Sequence, residues 1–176
     1  VLVTGGSRGI GRATVLEFAR RGANVAFTYA RNAESAEVVR SEAEALGVTC
    51  TAYQSDVSDF EAAKKLVADV KEAFGGIDVL VNNAGIVRDK LILQMTESDW
   101  DEVMRTSLKG VFNVTKHVAG VMVKQRKGRV VNIGSISGVA GFAGQTNYAA
   151  SKAALGGFTK SLANELWLIL AAVVCV

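Results

Sequence analysis

The sequence predicts an α/β protein in which helices cover both faces of a doubly wound parallel sheet, giving three layers. Two observations carry this expectation. Short β-branched runs alternate along the chain with longer stretches whose apolar residues recur at helical spacing. A glycine-rich turn also stands between the first run and the first helical stretch, where open parallel sheets bind ligands. The 176 residues are 49% hydrophobic and 21% charged. That is enough apolar material for a sizeable core and too balanced a composition for disorder. One domain over residues 1–176 is expected.

The strands come first. Residues 1–3, 24–29, 48–53, 78–81 and 129–133 read as buried strands. Between them, Val15, Phe18, Ala19 and Gly22 recur at helical spacing, as do Ala36, Val39, Ala43 and Leu46, and then Phe60, Ala63, Leu66 and Val70. Ser58-x-x-Glu61 reads as a capping box opening the third helix, and Thr96-x-x-Asp99 resembles one opening the fourth. No internal repeat or low-complexity linker interrupts the series.

Composition excludes several function classes. The net charge is +3, with basic residues dispersed and no Lys/Arg run interleaved with aromatics, so nucleic acid is not an expected partner. His117 is the only histidine, and inside a helical pattern it is assigned no catalytic role. Cys50 and Cys175 match no metal or redox spacing, so no metal is expected and two plain thiols suit a reducing compartment. The apolar run at residues 166–176 is shorter than the roughly 20 residues of a membrane-spanning helix. No membrane association is expected. The sequence opens at Val1 inside an apolar strand, so no targeting segment can be read. The expected location is cytoplasmic, with a plastid as the alternative.

Thr4-Gly5-Gly6-Ser7-Arg8-Gly9-Ile10-Gly11 follows the first strand and opens the first helix. Small residues let the backbone leave the strand tightly and approach a pyrophosphate, while the helix N-terminus offers free N–H groups and partial positive charge. The spacing Gly5-x-x-x-Gly9-x-Gly11 resembles the short-chain dehydrogenase/reductase family, whose signature is Thr-Gly-x-x-x-Gly-x-Gly. The resemblance implies a Rossmann-type fold, with Gly5, Ser7, Arg8, Gly9, Ile10 and Gly11 at the cofactor.

An NAD-preferring fold usually places Asp or Glu about 20 residues past the glycines, to bind the ribose 2′-OH. Here the second strand ends Thr28-Tyr29-Ala30-Arg31-Asn32, without a carboxylate. Arg31, with Arg8 on the other side, suits a 2′-phosphate instead, because guanidinium donates paired hydrogen bonds to phosphate oxygens. The competing reading is two ordinary surface arginines. NADP(H) is the expected cofactor. Ser55-Asp56-Val57 ends the third strand, where the family places an aspartate beside the adenine, so Asp56 and Val57 are carried over. Asn82-Asn83-Ala84-Gly85 matches the family's motif beside the cofactor ribose, which carries over Asn83, Ala84 and Gly85. The alternatives are that Asp56 caps a helix and that Asn82 and Asn83 close a turn.

Ser135, Tyr148 and Lys152 form Ser-x12-Tyr-x3-Lys, the family's catalytic signature. Tyr148 and Lys152 are four apart in a helical stretch and so share one face. A free tyrosine exchanges protons poorly at neutral pH, and a neighbouring ammonium favours its phenolate. The resemblance implies that Ser135 polarises the substrate carbonyl, Tyr148 supplies the proton, and Lys152 also holds the cofactor ribose. Where the family carries an asparagine in the fourth helix, thought to anchor a water linking Lys152 to solvent, this chain has Ser107. Serine holds a water there or merely satisfies helix backbone, and a slowed proton relay with intact binding is expected.

Asn83-Ala84-Gly85-Ile86-Val87-Arg88-Asp89 and the segment from Gly144 to Ala153 resemble 3-oxoacyl-acyl-carrier-protein reductases and acetoacetyl-CoA reductases. That implies a small acyl thioester substrate on acyl carrier protein or CoA, and a homotetramer built through the fourth helix and the Tyr148 helix. The resemblance runs to about Glu165. Family members continue with a strand, a Pro-Gly turn, a substrate-covering segment and a last strand, whereas this chain has no proline. A C-terminally incomplete fold is therefore expected, truncated or altered in reading, with the tail available as a substitute strand. Two readings stay open: an active reductase, of 3-oxoacyl thioesters or of another small carbonyl such as a sugar or steroid, and a cofactor binder with little turnover.

Overall fold

The computed structural model describes residues 1–166 and 172–175. The strands are β1 (Leu2–Val3), β2 (Val25–Tyr29), β3 (Cys50–Gln54), β4 (Val79–Asn82), β5 (Arg129–Asn132) and β6 (Ala172–Cys175). They form one parallel sheet in the order β3-β2-β1-β4-β5-β6. This is the doubly wound Rossmann-type arrangement. Strand order reverses between β1 and β4, and the ligand crevice belongs at the carboxyl ends of those two strands. The substitute strand expected from the tail is present as β6, whose register pairs Val130 with Val173 and Asn132 with Cys175. Residues 168–171 and 176 of that expectation lie outside the described residues.

The helices are α1 (Gly9–Arg20), α2 (Ala33–Glu44), α3 (Phe60–Phe74), α4 (Glu97–Met104), α5 (Gly110–Gln125), α6 (Ser137–Ala140) and α7 (Thr146–Leu166). A π turn over Arg105–Lys109 joins α4 to α5. The sequence pattern shows only a single fourth helix there, whereas the π turn interrupts it and ends at Gly110. Strand alternation divides the core. Leu2, Leu80 and Val130 face Leu66, Val67 and Val70 of α3 and Val114, Val118 and Met122 of α5. Val3, Val81 and Phe27 face Val15, Leu16 and Ala19 of α1 and Ala36, Val39 and Ala43 of α2. Each fully buried Leu or Val contributes about 1.5–3 kcal/mol, which fixes which face of each helix meets the sheet.

Capping chemistry sets the helix starts. Asn32 accepts from the Ser35 N–H at 2.8 Å to open α2. The Thr96/Asp99 capping box is formed at α4. The expected box at Ser58 is not the cap of α3: Asp59 takes that place and accepts from the Ala62 N–H at 2.9 Å. The Ser58 N–H is bound instead to Asp56 Oδ1 at 2.9 Å, which holds Ser58 in the preceding turn.

Candidate active site

The cleft at the reversal of strand order has a volume of about 340 Å³. It is lined by Gly5, Ser7, Arg8, Gly9, Ile10 and Gly11 from the first turn, by Thr28–Ala30 residues at the end of β2, by Ser55, Asp56 and Val57 after β3, and by Asn83, Ala84, Gly85, Ile86 and Thr106. Every cofactor-binding candidate from the glycine turn is therefore in its wall. Gly11 has to be glycine, since a Cβ there would stand 2.1 Å from the Gly5 carbonyl oxygen. Gly9 adopts φ +54° and has open space around it, so α1 begins with backbone laid bare to the cleft. The N-cap residue Arg8 makes no side-chain capping bond, which leaves the first N–H groups of α1 for an anion.

Arg8 lies in this wall; Arg31 does not, and stands exposed one residue past Ala30. Neither is in an ion pair among the described residues, whereas Arg12 nearby is held by Glu42 at 2.6 Å. Asp56 keeps one carboxylate oxygen on the Ser58 N–H and remains exposed at the rim. Beside it, the Ser55 hydroxyl is buried with no hydrogen-bond partner. A buried polar atom of this kind facing a cleft fits a polar ligand group, and the donor set as a whole fits a dinucleotide.

β4 is stitched to the glycine turn by side chains. Asn83 Nδ2 donates to the Thr4 and Gly5 carbonyl oxygens, both at 3.0 Å. The Thr4 hydroxyl oxygen accepts from the N–H groups of Asn83 and Ala84, both at 3.0 Å. Asn82 serves a different purpose: its Nδ2 donates to Thr115 Oγ1 at 2.9 Å and to Asn132 Oδ1 at 2.8 Å. Asn132 in turn donates to Thr159 Oγ1 of α7 at 2.9 Å. This buried polar chain fixes β4, β5, α5 and α7 at the height of the cleft, and the sequence carried no signal of it beyond the residue types.

Two of the catalytic candidates, Ser107 and Lys152, meet at Gly85. Tyr148 and Lys152 lie on α7, with Lys152 Nζ 5.7 Å from the Tyr148 ring centroid. Lys152 is 6% exposed, and its Nζ donates to the Ile133 carbonyl oxygen at 2.5 Å. A Cβ placed on Gly85 would lie 3.3 Å from Ser107 Oγ and 3.9 Å from Lys152 Nζ. The nucleotide cleft thus leads through Gly85 directly to Lys152. Ser135 lies between β5 and α6, and its Oγ accepts from the Ser137 N–H at 3.1 Å. α6 rests backbone to backbone on α7, since a Cβ on Gly138 would stand 2.7 Å from Ala153 N and 2.8 Å from the Lys152 carbonyl carbon.

Ser107 is fully buried in the π turn. Its Oγ accepts from the Ile86 N–H at 3.1 Å and donates to the Ile86 carbonyl oxygen at 3.3 Å. Neither bond goes to helix backbone: both pin Ile86 in the segment after β4. His117 lies on α5 with its ring 4.7 Å from that of Phe60, and burial, followed by the charge of Lys64, holds its pKa below the ordinary histidine value.

Four hydrogen bonds that sequence reasoning missed latch the segment after β4, and α4 with it, to the start of α7. Asn147 is fully buried and donates to the carbonyl oxygens of Arg88 at 3.1 Å and Asp99 at 3.0 Å. The Lys90 N–H donates to the Gly144 carbonyl oxygen at 2.9 Å. Gln145 Nε2 donates to Asp89 at 3.0 Å. Arg88, Asp89 and Gln145 stood in the runs that carried the resemblance, but the pairing between the runs is tertiary.

The sequence is also similar to known proteins. A family model described as short chain dehydrogenase matches residues 1–175. The FabG 3-oxoacyl-[acyl-carrier-protein] reductases of Staphylococcus aureus and Thermotoga maritima are each 48% identical to the chain over 165 residues, covering 94% of it and 67% of the relative. The 3-oxoacyl-[acyl-carrier-protein] reductase of a Synechocystis species is 46% identical with the same coverage.

Proposed function

The chain belongs to the short-chain dehydrogenase family, an oxidoreductase acting on CH–OH groups, and we propose that it reduces 3-oxoacyl thioesters on acyl carrier protein or CoA to 3-hydroxyacyl thioesters with NADPH. The observation that carries this reading is the junction at Gly85, where the dinucleotide cleft meets Ser107 and Lys152. Arg8, Gly9 and Gly11 would hold the pyrophosphate, Asp56 and Val57 the adenine, and Asn83 with Lys152 the ribose. Arg31, exposed beside the cleft with no carboxylate partner among the described residues, supports the preference for a 2′-phosphate.

Bound NADPH supplies a hydride to the carbonyl carbon. The Ser135 hydroxyl donates to the carbonyl oxygen and withdraws electron density as that oxygen becomes an alkoxide. Tyr148 gives the alkoxide its phenolic proton, and the Lys152 ammonium stabilises the phenolate left behind. A proton from solvent then returns the Tyr148 phenolate to the phenol. The membrane is not invoked: among the described residues no helix is long and apolar enough to cross one. A reducing compartment, cytoplasm or plastid, fits the buried free thiol of Cys50.

A larger concavity of about 940 Å³ lies away from the cleft, on the outer face of α4, the π turn, α5 and α7. Met104, Leu108, Phe112 and Phe158 line it, with Phe112 44% exposed, and this face supports assembly of four copies through those helices. A second reading, a cofactor binder with little turnover, draws on Ser107, whose hydroxyl is engaged on both sides by Ile86. NADPH oxidation with acetoacetyl-CoA, run beside NADPH binding by fluorescence, tests both. Binding with turnover supports the reductase, binding without turnover the second reading, and no binding rejects both.

A further inference from the structure

A serine hydroxyl has one proton to donate and two lone pairs to receive with. At Ser135 one lone pair is taken by the Ser137 N–H at 3.1 Å, a local turn contact of a common kind. What is not local is the fate of Ser137 itself. It is 6% exposed, and its Oγ donates to Gln145 Oε1 at 2.9 Å. Gln145 Nε2 donates to Asp89 Oδ2 at 3.0 Å. The direction of this chain is forced by chemistry. A carboxylate only accepts, so the Gln145 amide must turn its NH2 group to Asp89. Its carbonyl oxygen then faces Ser137, whose hydroxyl must donate.

We propose that Gln145 is a positioning residue for Ser135, acting through Ser137 and held in orientation by Asp89. The inference rests on the reductase reading for its consequence in turnover, though not for the link itself. The anchored Ser137 keeps its N–H on Ser135 Oγ, so the Ser135 proton stays available for the substrate carbonyl. Asp89 belongs to the segment after β4, and the Lys90–Gly144 backbone bond closes the same seam. Movement of that segment is thereby tied to the reacting hydroxyl.

The test is a charge swap. Gln145→Glu sets two carboxylates against each other and is expected to lower kcat by about tenfold to a hundredfold, the scale of a small misplacement of a reacting group. NADPH affinity is expected to stay within about twofold, because the link lies outside the nucleotide cleft. Adding Asp89→Asn gives the new carboxylate an amide donor and is expected to restore kcat to within about threefold of wild type. Hydrogen exchange at the Ser137 amide is expected to speed up in Gln145→Glu and slow again in the double variant. If Gln145→Glu does not fold, Gln145→Met removes both hydrogen bonds without adding charge and is expected to show the same loss. Unchanged kcat and Ser137 exchange in the single variant, or failure of Asp89→Asn to rescue a folded one, would overturn the proposal. If wild type does not turn over acetoacetyl-CoA, the reductase reading falls while Ser137 exchange still decides the link.

Discussion

The Lys152 ammonium donates to the Ile133 carbonyl oxygen at 2.5 Å, which anchors α7 to the residue following β5. A buried ammonium needs such partners, and this one leaves the side chain stretched past the Tyr148 ring at 5.7 Å from its centroid. Lysine and tyrosine are therefore presented as a pair whose relative position is set by the sheet and not by the helix alone.

Tyr148→Phe removes the phenolic proton and little else, since the ring keeps its packing. Turnover is expected to fall by about 10²–10⁴, the usual contribution of a positioned proton donor, with NADPH binding and melting temperature unchanged. Steady-state kinetics beside fluorescence titration check this; substantial residual turnover would remove Tyr148 from the chemistry.

Ser107 spends both halves of its hydroxyl on Ile86. Ser107→Ala leaves the partly buried Ile86 N–H without its partner, and a loss of about 1 kcal/mol is expected in chemical denaturation. Ser107→Asn is expected to raise kcat with NADPH affinity intact, if a slowed proton relay limits this chain. Unchanged turnover in that variant would reject the relay.

The proposed preference for the phosphorylated cofactor rests on Arg31. Arg31→Ala is expected to weaken NADPH binding by about tenfold, within the range of a hydrogen bond to a charged group, while NADH binding stays the same. Equal effects on both cofactors would assign Arg31 to the fold or to the solvent. Arg8→Ala is expected to weaken both, because Arg8 lies in the wall of the cleft proper.

Asn147 immediately precedes Tyr148 and reaches two carbonyl oxygens, of Arg88 and Asp99. Asn147→Ala is expected to cost about 1–3 kcal/mol of stability per carbonyl left unsatisfied in the buried site. The melting temperature checks the stability, and proteolysis between residues 86 and 99 checks where it is lost. Asn147→Asp, which accepts where the amide donates, is expected to be worse than Ala.

What could be read from the sequence was whatever depends on near neighbours. The glycine turn, the strand runs and the Tyr148–Lys152 pair follow from spacing, and their elements lie where spacing put them. The cap of α3 was misread because Ser58 and Asp59 are both competent: the S-x-x-E pattern favoured the first, while Asp56 had already engaged the Ser58 N–H. The bonds of Asn82 to Asn132 and of Asn147 to Arg88 span 50 and 59 residues. Nothing local to either residue reports them. The same holds for Arg31, whose place beside the cleft and not in its wall depends on how the chain leaves β2.

Asp99 offers a test by pH. The hydrogen bond from Lys90 at 2.8 Å, followed by those from Thr96, holds its carboxyl well below the usual carboxylate range. In the unfolded chain an aspartate titrates near pH 3.9. The folded carboxyl therefore binds its proton less readily than the unfolded one. Its contribution to stability is fully present above about pH 4 and is lost as the pH falls toward the folded value. Asp99→Asn lacks this ionisation, so its melting temperature is expected to lie below wild type at neutral pH and to approach it as the solution is acidified below about pH 4. Lys90→Met is expected to narrow the difference in the same way, by removing the strongest donor. Thermal melts from neutral pH to about pH 2 decide the matter: a gap between wild type and Asp99→Asn that stays constant across that range would mean the carboxyl acts there by shape and not by charge.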